Sequence, residues 1–291
     1  VQIEHSDGEP GVDDARLAVR LAGDANVVLI DLPATPASEA ATSAHDFRTT
    51  PNIVFAGGVT TDIHFVNTDG GLRLAALVPE NQALALIDPT TGVSTDVDLG
   101  GSFDKMSLVT DIVGATQAGA DVALLWSTSS PEIALVALGS TVGKPYKAVE
   151  RITLEAPIVR VTDVPAPNQR IKLLQGYGVL YALDLADRTA SPLLERDPSS
   201  SVLPAPDGQR CWIYAGSQPS LAALDLSSLH PKNLALASPV VGAVDVERKN
   251  GGRALLALRS SQNLDLTIVD GLAPSLETAV DYPSILLGDL P

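Results

Sequence analysis

The residues best suited to metal binding or nucleophilic chemistry in this chain are His5, His45, His64, His230 and the lone Cys211. No two histidines stand in the H-x-x-x-H or H-E-x-x-H spacing that puts both rings on one helix face. One cysteine makes neither an intrachain disulfide nor a thiolate metal cluster. His64 stands apart through its context. The segment Asp62-Ile63-His64-Phe65-Val66 reads as a strand, and strand alternation places Asp62 and His64 on one face. Such a pair can hold a metal or a small ligand. It also serves as a hydrogen-bonded structural pair, and that is the stronger reading. Asp111, Asp163 and Asp245 fall in equivalent strands and complete the set of candidate ligand-facing residues. No catalytic residue, metal ligand set or cofactor is assigned.

Other patterns carry less. His45-Asp46-Phe47-Arg48 sits in a polar stretch between Pro36 and Pro51 that reads as an excursion from the fold. Asp13-Asp14, Asp69-Gly70 and Asp96-Val97-Asp98 offer oxygen ligands, but none fits a calcium-binding loop with its distant Glu. Asp96 and Asp98 share the face of an outer, solvated strand. No G-x-S-x-G elbow occurs. Gly57-Gly58 and Gly100-Gly101 are isolated pairs rather than phosphate loops. Trp126 and Trp212 lie within apolar runs and read as core anchors, and Cys211 as a small buried hydrophobe.

The elements that position these residues repeat. A turn followed by Arg recurs as Asp14-Ala15-Arg16, Asp69-Gly-Gly-Leu-Arg73, Asn168-Gln169-Arg170, Asp207-Gly-Gln-Arg210 and Asn250-Gly-Gly-Arg253, with a degenerate copy at Gly119-Ala120-Asp121. A later apolar run closes on Asp31, Asp88, Asp184, Asp225 and Asp270, and on Gly139 in the degenerate unit. The intervals between these closing residues are 57, 51, 45, 41 and 45 residues. Such units, each holding several strands of five to eight residues, are the signature of propeller blades. The Asp-Gly and Asn-Gly turns allow positive φ, and the continuous Val/Leu/Ile runs suit strands covered on both faces. The Arg that recurs at one position is expected to serve each blade alike, with the closing Asp as partner or turn-former.

Composition fits this reading. The chain has 291 residues, 45% hydrophobic, with a formal charge of −16. Its longest uncharged stretch, Cys211–Leu224, spans 14 residues, short of the roughly 20 of a spanning helix. The acidic balance opposes binding to nucleic acid or anionic membranes. It is concentrated in residues 1–100, which carry 15 acids and 4 bases.

Leu203-Pro-Ala-Pro206-Asp207-Gly208-Gln209-Arg210 resembles the S-P-D-G-x-x element of Tol-associated WD-like propellers. Ala83-Leu-Ala-Leu-Ile-Asp88-Pro-Thr-Thr-Gly92 resembles the V-I-D-x-x-T-x element of YVTN-type and quinoprotein blades. No unit carries a Trp-Asp pair, and two tryptophans do not supply the quinone-stacking floor of the quinoproteins. The resemblance implies a fold rather than an activity.

The expectation is an all-β chain forming a single six-bladed β-propeller over residues 1–291, with Tyr282–Gly288 completing the first blade. A rival register gives that place to Val1–His5, and seven-bladed and open propellers are the alternatives. Inner strands then line a channel faced by Asp62, His64, Asp111, Asp163 and Asp245. The function expected is a non-catalytic binding or scaffold module of a bacterial envelope or secreted assembly, with protein partners. A metal-dependent hydrolase or lactonase of the six-bladed kind and a structural domain of a longer surface protein are the alternatives.

Overall fold

A computed structural model describes residues 1–5, 15–32, 51–109, 120–139, 148–196, 200–249, 251–260, 265–271, 273–275, 277 and 279–282. The described residues form 24 strands and one short 3-10 turn, Pro79–Asn81. The strands make six four-stranded antiparallel sheets, each a meander of consecutive strands and thus a blade of propeller type.

The chain divides into two compact units, Val1–Pro157 and Ile158–Pro291. The first holds sheet 1, β1 (Gln2–His5) to β4 (Asn52–Phe55); sheet 2, β5 (Asp62–Thr68) to β8 (Ser94–Asp98); and sheet 3, β9 (Lys105–Val109) to β12 (Val149–Thr153). The second holds sheet 4, β13 (Ile158–Asp163) to β16 (Thr189–Arg196); sheet 5, β17 (Ser201–Pro204) to β20 (His230–Ala235); and sheet 6, β21 (Val240–Glu247) to β24 (Val280–Tyr282).

The first sheet corrects one expectation. Its first strand is β1, paired with β2 (Ala15–Arg20) from Gln2↔Ala18 to His5↔Ala15. The rival register is therefore the one observed. Gln2-Ile3-Glu4 alternates polar and apolar residues as an edge strand does, with Ile3 exposed and Gln2 half-buried. Tyr282 ends the fourth strand of sheet 6, and residues 283–288 lie outside the described residues.

Packing explains the unbroken apolar runs. In sheet 2 one face, with Ile63, Leu74, Ala76, Ala85 and Ile87, meets Ala18, Val27, Leu29 and Val54 of sheet 1. The other face, with Val66, Ala75, Leu77, Leu84 and Leu86, meets Met106, Ala123, Leu125, Ala134 and Val136 of sheet 3. Every residue of β7 (Ala83–Ile87) is consequently buried. A strand covered on both sides has no position for a polar side chain, which is why A-L-A-L-I shows no alternation. Sheet 5 repeats the scheme. Cys211, Ile213, Ala222 and Leu224 face sheet 4, while Trp212, Leu221 and Ala223 face Val240, Leu255, Ala257 and Val269 of sheet 6. Each fully buried Leu, Ile or Val contributes about 1.5–3 kcal/mol.

Each sheet has two unlike ends. At one, the first strand is joined to the second and the third to the fourth; at the other, the second is joined to the third and one sheet to the next. These are called the turn end and the loop end below. At the turn ends the closing aspartates cap the hairpins. Asp88 Oδ1 accepts from the N–H groups of Thr90 and Thr91, at 2.9 and 3.0 Å. Asp184 Oδ1 does the same for Ala186 and Asp187, and Asp270 Oδ1 for Ala273. Asp225 Oδ1 accepts from the backbone N–H groups and hydroxyls of Ser227 and Ser228. The expected turn-forming role of these residues is realised.

Glycine is required where a turn meets the neighbouring sheet. Gly208 has φ +64°, and a Cβ there would lie 2.2 Å from the carbonyl oxygen of Ala166 and 2.3 Å from that of Pro165. Asn168 Nδ2 donates to the Gly208 carbonyl at 2.9 Å, locking the turns of sheets 4 and 5 together. Gly208→Ala is expected to lower unfolding stability by more than about 1 kcal/mol, because strain at positive φ adds to overpacking against immobile backbone. Denaturant unfolding checks this, with Gly216→Ala as the control, since a Cβ at Gly216 meets nothing within 4 Å.

The Asp225 hairpin carries a pH signature. Hydrogen bonds from Ser227 and Ser228, opposed by slight burial, hold its carboxyl at about 2, below the ordinary 3.8. A depressed folded-state pKa stabilises fully above the unfolded value, and that stability is lost as pH falls from about 3.8 through about 2. Asp225→Asn should therefore unfold more readily than the parent near neutral pH, with the gap closing below about pH 3. Thermal melts across that range measure it.

Candidate functional site

Asp62 and His64 lie on β5, the first strand of sheet 2, and they do meet. His64 Nε2 stands 3.6 Å from Asp62 Oδ1. The carboxylate has further work. Oδ1 accepts the N–H of Ile63 at 3.0 Å, and Oδ2 accepts the N–H of Met106, on the first strand of sheet 3, also at 3.0 Å. Burial pushes the Asp62 carboxyl up, but His64, by hydrogen bond and charge, and the N–H groups of Met106 and Ile63 outweigh it and hold the group below its ordinary value. Both oxygens are thus engaged, one of them across a sheet-to-sheet joint.

Asp245 is more committed still. It lies on β21 with only 3% of its side chain exposed. Oδ2 accepts the Trp212 indole N–H at 2.8 Å from sheet 5. Oδ1 accepts from Arg253 Nε at 2.5 Å within sheet 6. Arg253 also lies 3.8 Å from Asp207, on the turn of sheet 5. The carboxylate, the indole and the guanidinium together form a buried joint between sheets 5 and 6. An uncompensated charge there would be costly, and the pairing removes that cost.

Asp163 behaves differently. Its side chain is 70% exposed and receives the nearly buried Lys172 ammonium from the adjacent strand. Asp111 lies outside the described residues, as do His45, Asp46, Asp13 and Asp14. Among the described residues, no three His, Cys, Asp or Glu side chains group in an arrangement that could hold a metal. Asp96 and Asp98 lie on the exposed outer strand β8. Asp96 faces Ser94 Oγ at 3.5 Å, and Asp98 caps the Gly100 N–H at 2.9 Å.

The repeated arginines follow the expected pairing only in part. Arg16 meets Asp31 directly across the β2–β3 ladder. Arg73 and Asp88, and Arg170 and Asp184, stand 3.5 Å apart. In the last two sheets the scheme shifts. Arg210 donates to the carbonyl of Gly271 in sheet 6. Arg253 turns to Asp245, and Asp270 takes Arg248 instead, at 3.5 Å. Arg253 is drawn across the β21–β22 ladder to Asp245, on the side away from Asp270.

A further joint escaped the sequence reading. The N–H of Asp121 donates to the Asn67 carbonyl at 2.9 Å, and Asp121 Oδ2 accepts the Asn67 N–H at 2.7 Å. The turn of sheet 3 is thereby bound to the first strand of sheet 2. The degenerate turn is thus an adapted joint. Gly139 replaces the usual closing Asp because a Cβ there would lie 2.2 Å from that of Ala120 and 2.7 Å from Asp69 Oδ1.

Trp212 is fully buried and Trp126 nearly so, as anchors should be. Cys211 is also fully buried, and burial pushes its thiol up, away from the reactive thiolate.

No family model matches the chain, and no curated protein does. Solved structures do. Hydrazine synthase of Kuenenia stuttgartiensis matches at 14% identity and a TM-score of 0.39, over 73% of this chain and 64% of that one. Virginiamycin B lyase of Staphylococcus aureus matches at 11% identity and a TM-score of 0.41, over 77% and 70%. Dihydro-heme d1 dehydrogenase NirN, in complex with DHE, matches at 11% and 0.45, over 96% and 65%. The chain therefore spans slightly under two thirds of the hydrazine synthase and NirN chains. None of these likenesses carries an activity over to this chain.

The geometry separates the candidates by cost. Asp245→Ala leaves the buried Trp212 indole N–H without its acceptor and the Arg253 guanidinium with only the more distant Asp207, and should cost about 3–5 kcal/mol. Asp96→Ala removes an exposed carboxylate whose contact to Ser94 is a long one and should cost about 1 kcal/mol or less. Parallel urea titrations of the two variants check the ordering.

Proposed function

We propose that the chain is a single six-bladed propeller acting as a non-catalytic binding or scaffold module in a bacterial envelope or secreted assembly. The observation that carries this reading is the engagement of the candidate acids. Asp62 and Asp245 spend their oxygens on sheet-to-sheet joints, and Asp163 is occupied by Lys172. A hydrolytic metal site needs several carboxylates or histidines converging with open coordination positions. Groups already committed to neighbouring backbone, indole and guanidinium are poorly placed for that role.

A rigid stack of sheets whose polar groups hold the sheets together suits a platform for partners. Blades support loops of free composition at their ends, and such loops are where binding surfaces are built. That no described helix is long and apolar enough to cross a membrane is compatible with a platform presented to soluble partners.

Affinity capture from the envelope fraction of the native source, with the intact chain as bait, tests this reading. The expected result is a stoichiometric partner that dissociates on competition with untagged chain. Recovery of no partner, together with metal-stimulated turnover of a lactone that Asp62→Ala abolishes, would overturn it in favour of the hydrolase.

A further inference from the structure

We draw no further inference here: the strongest candidate, the apolar face of sheet 1 turned away from sheet 2, where Ile3, Leu17 and Ile30 adjoin in one row across the ladder and Val28 and Ile53 in the next, with Ile3, Ile53 and Phe55 exposed, carries none because nothing in the structure shows what covers it.

Discussion

The structure depends on covering both faces of a sheet that cannot be stable alone. A four-stranded blade rich in Val, Leu and Ile has two apolar faces, and each must be removed from water by a neighbour. Sheet 2 shows this within the first unit, and sheet 5 within the second. The apolar faces supply the magnitude of the stabilisation but little specificity, because a smooth apolar face slides. The polar joints supply the register. Asp62 to the Met106 N–H, Asp121 to Asn67, Asn168 to the Gly208 carbonyl and Asp245 to Trp212 each tie one sheet to the next. Each is directional, and each would leave a buried group unpaired if the sheets slipped.

This division of labour changes the meaning of the acidic residues. Several of the carboxylates that invite a catalytic reading turn out to be fasteners. The closing aspartates cap hairpins, and this holds two carboxyls below the ordinary range, Asp88 through the N–H groups of Thr91 and Thr90, Asp225 first through the Ser227 hydroxyl and then through the groups of Ser228. The first-strand acids span joints.

Much of the fold was legible in the sequence because its signals are local. The Asp-Gly turns, the closing aspartates and the unbroken apolar runs are each set by a few adjacent residues, and they recur at blade spacing. The meeting of Asp62 and His64 was legible for the same reason, since alternation along one strand fixes it. The first strand of sheet 1 was harder, because Gln2–His5 alternates where an apolar inner strand was sought. The partners of Asp62 and Asp245 were not legible at all. Met106 is 44 residues from Asp62, and Trp212 is 33 from Asp245. Nothing in either local sequence announces the other. The regular Arg–Asp pairing gives way in sheet 6, where Arg253 is drawn to Asp245, a partner on the neighbouring strand that the repeat does not mark.

The central claim is that the first-strand acids are joints between sheets. It is tested most directly by a double-mutant cycle on Trp212→Phe and Asp245→Ala, read by equilibrium unfolding. A joint predicts that the two substitutions are strongly coupled, by about 1 kcal/mol or more, because each removes the same hydrogen bond. Additive effects, within about 0.3 kcal/mol, would contradict it.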